Sequence, residues 1–264
     1  MLSRQLATKA VRSVKVNFPM LVDAKYALQV WRRGLVGKPH ELDFAALKHL
    51  KWSGADEDFL FLDVGANRGQ TVSSVRMFRD FSIVCVEPIP SLADKLKKRA
   101  LKEPNLRIIQ AAASDTNEPL RLYIPRYKNF SFDGLASTQY DAAANWLDQD
   151  KLFGFNKSHL HVDEVNVPAI RIDDLNLAPG FVKIDVQGAE IFTLRGMAET
   201  IKKHHPVILL ERPEVDVEVA FLKDHGYAPY KFDGVSFTPG IKDNLNTFFL
   251  REEHRALFAL PFND

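Results

Sequence analysis

The sequence predicts an α/β protein: an open, mostly parallel sheet with helices on both faces. Two observations carry this. From Asp58 onward, short apolar runs rich in β-branched and aromatic residues alternate with longer stretches of helical period. The first run also passes into a helix through a turn with glycines spaced as GxxxG, Gly65 and Gly69, where backbone conformations closed to other residues become available. Strands are expected at Phe59 to Val64, Ser82 to Glu87, Leu106 to Ala111, Phe181 to Val186, Val207 to Glu211, Ala228 to Phe232 and Thr247 to Leu250, with helices filling most of the gaps. Between about 120 and 172 the pattern degrades. Arg121 to Ile124 and Val165 to Ile172 read as strands, and the stretch between them mixes Phe, Asn, Ser, Asp and Gly, which marks an insertion beside the sheet. The expected organisation is a basic helical extension over 1–55 and one domain over 56–264 containing that insertion.

Of 264 residues, 46% are apolar and 26% charged, so disordered and collagen-like classes are excluded. The net charge of +1 leaves no global field toward nucleic acid or membrane. No apolar run reaches the roughly 18 to 20 residues that span a bilayer, and the expectation is a cytoplasmic protein, at most peripheral to a membrane. The single cysteine, Cys85, lies inside an apolar run and reads as a buried, inert thiol, which removes disulfides and a zinc knuckle.

Charge is unevenly spread. Residues 1–40 carry eight basic residues (Arg4, Lys9, Arg12, Lys15, Lys25, Arg32, Arg33 and Lys38) against one acid, Asp23. A secretory signal would need a compact apolar core there, and Arg and Lys interrupt it. An Arg-rich, acid-poor start also fits a mitochondrial targeting peptide. The favoured reading is a basic amphipathic helix beside the main domain, free to touch anionic lipid or substrate.

The sharpest local signal is Asp63-Val64-Gly65-Ala66-Asn67-Arg68-Gly69-Gln70-Thr71, directly after a strand and before a helix starting near Gln70. Such a turn lets a ligand approach the backbone, and the helix start suits a carboxylate or phosphate. Eighteen residues after Gly69 comes Glu87, followed by Pro88; an acid at the end of the second strand accepts hydrogen bonds from ribose hydroxyls. The turn departs from G-x-G-x-x-G, and Asp63 suits an ammonium group better than a pyrophosphate. Together these features describe an amino acid joined to a nucleoside, S-adenosyl-L-methionine rather than NAD. After the third strand, Ala111 to Ala113 offer small residues for a flat adenine, with Ser114 or Asp115 able to meet its amino group.

The fourth strand runs into Asp185, which should point into the crevice beyond the carboxyl ends of the strands. Glu190, in the first turn of the next helix, and Glu211, ending the fifth strand, complete three acids on one rim. They suggest proton abstraction from a hydroxyl or capture of a divalent ion, to which no ligand set is assigned. Asp185 is the first candidate for the base. His159 and His161 read as solvated, and His204-His205 as a helix C-terminus.

The sequence resembles the FkbM family of S-adenosylmethionine-dependent methyltransferases, from about Phe59 to Leu250. The marks are DVGANRGQT at 63–71, VEP at 86–88, AAASD at 111–115, IRIDDL at 170–175, FVKIDVQGAE at 181–190 followed by Leu194, Gly196 and Met197, and ILLE at 208–211. The resemblance implies a class I methyltransferase, Rossmann-like fold: seven strands, mostly parallel, with the last, Thr247 to Leu250, antiparallel. It implies cofactor roles for Gly65, Asn67 and Gly69, with Glu87 on the ribose. It also implies methylation of hydroxyl oxygens, on sugars of glycans and glycolipids or on polyketide-type products. Asp173 and Asp185 fall on family motif positions to which no individual role is assigned. Acceptor selection is expected in the insertion, where Tyr123, Tyr127, Phe130, Phe132, Tyr140, Trp146, Phe153 and Phe155 crowd; they suit a sugar face or simply build a local core. The rival from another class is a non-catalytic cofactor-binding scaffold.

Overall fold

The structure is a computed structural model, and it describes residues 2–18, 28–29, 32–33, 36–242 and 245–263. The chain forms two compact units, Met1–Arg32 with Pro119–Val167, and Arg33–Glu118 with Pro168–Asp264. The expected boundary at 55/56 therefore moves. Phe44, Ala46 and Leu47 lie in the main core of the second unit, so the residues just before the first strand belong with the sheet.

In the second unit the strands are β1 (Leu60–Val64), β2 (Ser82–Val86), β3 (Leu106–Ile109), the short pair β4 (Ala112–Ala113) and β8 (Ala169–Ile170), then β9 (Phe181–Ile184), β10 (Val207–Glu211), β11 (Ala228–Phe232), β12 (Phe237–Pro239) and β13 (Asn246–Leu250). The main sheet runs β12-β11-β13-β10-β9-β1-β2-β3. β13 is antiparallel to its neighbours, as expected for the last strand, and it inserts between β10 and β11. β12, which was not anticipated, adds an eighth, edge strand antiparallel to β11.

Two expected strands end differently. The third stops at Ile109, because Ala112 and Ser114 turn their N–H groups to Pro168 and Ile170 instead. The expected strand Val165 to Ile172 is broken at Pro168, a residue without a donor for the ladder, and its two parts fall in different units.

The sheet is buried on both faces, as parallel strands demand, and period-two alternation sorts each strand between them. One face holds Phe61, Cys85, Phe181, Leu209 and Phe248 against Phe44, Leu47, Val72 and Val75. Phe61 stacks on Phe181 at 4.8 Å, and Phe181 meets Phe248 edge-on at 6.2 Å. The other face packs Leu62, Val182, Ile184 and Ile208 against Leu194 and Ile201, from helices α5 (Glu190–Arg195) and α6 (Ala198–His204), and against Met197 between them. α6 ends at His204, with His205 left-handed at its cap (φ +46°), as expected for the histidine pair.

The first unit contains helix α1 (Leu2–Asn17) and a three-stranded antiparallel sheet of β5 (Leu120–Tyr127), β6 (Phe130–Ser131) and β7 (Leu160–Val167). Val16 is buried with Tyr127, Phe130, Phe132, Leu147 and Leu152, so α1 belongs to the insertion's core. Lys9 and Arg12 lie over the rings of Phe153 and Trp146 at 4.7 and 4.9 Å. Two of the helix's basic residues thus face inward, and most of the crowded aromatic residues build this unit's own core. His159 and His161 are exposed. No described helix is long and apolar enough to cross a membrane.

Candidate functional site

The parity that fills the core also builds the site. On the face carrying Phe61 and Phe181, the next layer toward the carboxyl end is Asp63, Lys183 and Leu209, in register. The layer beyond holds Gly65, Asp185, Glu211 and, paired with Glu211, Asn246. Aromatic rings thus give way to charge within two residues of each strand's end.

Gly65 (φ +84°), Asn67 (φ +50°) and Gly69 (φ +78°) coil the loop after β1. A β-carbon on Gly65 would stand 1.8 Å from the Asp185 carbonyl oxygen, so this glycine is demanded first by the neighbouring strand. Gly65 and Ala66 donate to the Val86 carbonyl at 2.9 and 3.2 Å. At Gly69 a β-carbon would meet Leu96 at 2.9 Å. Helix α2 (Gln70–Val75) begins where expected. Gln70 Oε1 accepts from the Arg68 N–H at 3.2 Å. Ala66 and Thr71 point inward, Thr71 toward a hydrogen bond with Asp63.

Asp63 has no accessible surface. The direct contact expected between Asp63 and a ligand's ammonium finds instead a carboxyl beneath the loop, flanked in register by Lys183 and Cys85. Its Oδ1 has no hydrogen-bond partner, and burial, against the pull of Lys183, pushes it up to about 7. The Cys85 thiol is raised by burial and by Asp63, consistent with an inert group.

Glu87 is buried at the end of β2, where Oε2 accepts from the Asn67 N–H at 2.7 Å and Oε1 from the Ile89 N–H at 2.9 Å. The loop and the acid therefore fix each other. Pro88 is half-buried beside it. Ala113 and Ser114 are buried, and Asp115 is half-buried. Gly196 permits this local packing: a β-carbon there would lie 1.9 Å from the Ser114 carbonyl oxygen.

Asp185 is the most connected group of the rim. Its Oδ2 lies 3.1 Å from Lys183 Nζ, and its Oδ1 accepts from Gln187 Nε2 at 2.8 Å. The same amide donates to Glu211 Oε2 at 3.3 Å. Burial alone would raise the Asp185 carboxyl, but the hydrogen bond from Glu211, Lys183 and Gln187 hold it down to about 2. The hydrogen bond with Asp185, then burial and the Asp185 charge, push Glu211 up to about 8. The two carboxyls carry one proton between them at neutral pH. Gln187 makes its bridge from a left-handed conformation (φ +55°), a small strain at a crowded site.

Glu190 does not join this pair. Its Oε2 accepts from the Gly188 N–H at 2.8 Å and it feels the charge of Glu218, so it stabilises its own turn. Asp173 is likewise structural: its carboxylate accepts from the Thr200 N–H and hydroxyl at 2.8 Å each and from the Glu199 N–H at 3.3 Å, which caps α6. Among the described residues no cluster of three His, Cys, Asp or Glu side chains could hold a metal.

Sequence reasoning missed Lys183, Gln187, His40, Glu41 and Asn246. Lys183 had a signal, a lone cation two residues before Asp185 in an apolar strand and so on the same face. The others had none: His40, Glu41 and Gln187 lie outside regular elements, which follow no period, and Asn246 opens β13 one residue ahead of the expected strand.

Residues 63–236 match the family model described as the methyltransferase FkbM domain. The chain belongs to the FkbM methyltransferase family. It is thus an S-adenosylmethionine-dependent methyltransferase of class I fold. Among solved structures, this FkbM chain is similar to methyltransferase FkbM from Methylobacillus flagellatus, at 16% identity and TM-score 0.44, over 75% of this chain and 44% of that one. It is also similar to precorrin-6y C5,15-methyltransferase from Geobacter metallireducens, at 16% identity and TM-score 0.39, over 79% and 84% of the two chains. A TehB-like methyltransferase from Corynebacterium glutamicum is similar at 10% identity and TM-score 0.38, over 87% and 97%. The chain spans less than half the length of the first of these. No curated protein sequence matches it.

Proposed function

We propose that this enzyme transfers a methyl group to a hydroxyl oxygen of a sugar in a glycan or glycolipid. The observation that carries the reading is the Asp185–Glu211 pair, two carboxyls on adjacent strand ends held by Lys183 and Gln187. S-adenosylmethionine, when bound, supplies an electrophilic methyl group. Glu87 would accept the ribose hydroxyls, Ser114 and Asp115 would meet the adenine amino group, and the loop from Gly65 through Asn67 to Gly69, with Gln70 at its end, would enclose the methionyl part. Asp185 and Glu211 would hold the acceptor hydroxyl in line and take its proton as the oxygen attacks. Lys183 keeps one negative charge on the pair, and Gln187 fixes both carboxyls.

The same reaction on a lipid or polyketide-type hydroxyl is the second reading, favoured by the acid-free, basic helix α1. Both readings place the enzyme in the cytoplasm, with peripheral membrane contact in the second. The first test is calorimetric titration with S-adenosylmethionine and S-adenosylhomocysteine, with and without magnesium, followed by transfer of labelled methyl to glycosides and to lipids. Micromolar binding and labelled glycoside support the proposal. No cofactor binding by folded protein supports a scaffold instead.

A further inference from the structure

Residues 39–43 cross the carboxyl end of the sheet. On one side the His40 N–H donates to Ser74 Oγ of α2 at 2.8 Å. On the other, Asn246 Nδ2 donates to Glu41 Oε2 at 2.7 Å and to Asp43 Oδ2 at 3.2 Å, and Lys242 lies 3.4 Å from Asp43. Asn246 is the register partner of Glu211. The segment is therefore pinned at both ends of the layer formed by Gly65, Asp185 and Glu211. His40 is near enough to that layer to feel the charges of Lys183 and Asp185, as well as those of Glu41 and Arg33.

The His40 ring is orientated by chemistry rather than packing. Its Nδ1 is hydrogen-bonded to the guanidinium of Arg33, and a guanidinium only donates. Nδ1 must accept, so the neutral ring carries its proton on Nε2. No described residue accepts from that Nε2–H. Partial desolvation of the ring, with Arg33 and Lys183, also keeps it neutral against the opposing pull of Glu41 and Asp185. A ring in this state cannot be the base at Nε2, but it can donate there.

We propose that His40 is part of the acceptor site, its Nε2–H donating to the oxygen of the acceptor hydroxyl while the hydroxyl's proton is directed to the Asp185–Glu211 pair. This rests on the hydroxyl-acceptor reading above and extends the site to a residue outside the family-matched span. No bond is made or broken at His40.

The test has two arms on the full chain. Long-range proton–nitrogen NMR of 15N-histidine-labelled protein at pH 7.5 should show His40 neutral with Nε2 protonated, and Arg33→Met should mix the tautomers. A cationic or Nδ1-protonated ring overturns the inference whatever the acceptor. In the second arm, labelled methyl transfer is measured with methyl glycosides of common hexoses and 6-deoxyhexoses. His40→Phe should lower kcat/KM for the glycoside at least about tenfold while calorimetric affinity for S-adenosylmethionine stays within about twofold. His40→Gln, which restores a donor, should recover activity to within about threefold of wild type. Full activity in His40→Phe, or Gln no better than Phe, overturns the proposal. Failure of the wild type on every glycoside, with cofactor binding intact, overturns the sugar reading beneath it.

Discussion

Asp185 and Glu211 end adjacent parallel strands at the same layer and divide one proton, the first held down to about 2 and the second pushed up to about 8. The pair as a whole becomes a competent base only when its last proton leaves. Turnover with saturating cofactor should rise as pH passes about 8, and Glu211→Gln, fixed in the neutral state, should remove that rise. A pH–rate profile of both proteins decides it; an unchanged profile in Glu211→Gln sinks the shared-proton account.

Asp185→Asn should abolish turnover and leave cofactor affinity within a few-fold, because it is the one carboxylate touched by Lys183, Gln187 and Glu211 together. Single-turnover assays and calorimetry on the same preparation separate the two effects. Retained turnover would remove Asp185 from the chemistry.

Lys183 is buried among Asp63, Asp185 and Glu41, whose charges raise its pKa against the cost of burial. Lys183→Met strands buried carboxylates without their cation, at a cost of about 3–5 kcal/mol. Urea unfolding measures the loss. Neutralising Asp63 as well, in Lys183→Met/Asp63→Asn, should return part of it.

Stability should depend on pH with a definite sign. Asp63 and Glu211 are raised in the fold, to about 7 and about 8, from ordinary values of 3.8 and 4.5. The folded chain therefore keeps protons that the unfolded chain releases. This stabilisation is complete below about pH 4 and is lost as pH climbs through 7 and 8. The Tm should fall from about pH 4 to about pH 8 and level off above that, and Asp63→Asn or Glu211→Gln should flatten that fall; a slope unchanged in both variants contradicts the assignment.

Glycines of equal appearance should behave unequally. Gly65→Ala and Gly196→Ala place a β-carbon within 2 Å of a backbone carbonyl, on Asp185 and Ser114 respectively, and should prevent native folding or displace those strands. Gly188→Ala meets open space and should cost only about 1–2 kcal/mol for its positive φ. Unfolding curves of the three variants rank them.

Much of this architecture is legible in the residues because the sheet is buried on both faces, and burial writes itself as continuous apolar runs. The strands at 207–211 and 228–232 fall where the pattern puts them. The third strand does not, since Ala111 to Ala113 carry no preference strong enough to oppose the pull of Pro168 and Ile170. In the site, strand-borne acids were readable from parity, which brings Asp185 and Glu211 together. Glu190 shares the rim in the sequence pattern, while in the structure it accepts from the Gly188 N–H of its own turn; His40 leaves no trace in the pattern because its partners, Ser74 and Arg33, are set only by the tertiary path.

Asn117 closes the point where the main unit's chain leaves and returns. Its side chain accepts from the Arg171 N–H at 2.9 Å and donates to Asp174 at 2.7 Å, so residues on either side of 119–167 are stapled to each other without help from what lies between. That makes the intervening stretch a cassette. Its integrity depends on α1 as well, since Val16 completes the cassette's own core.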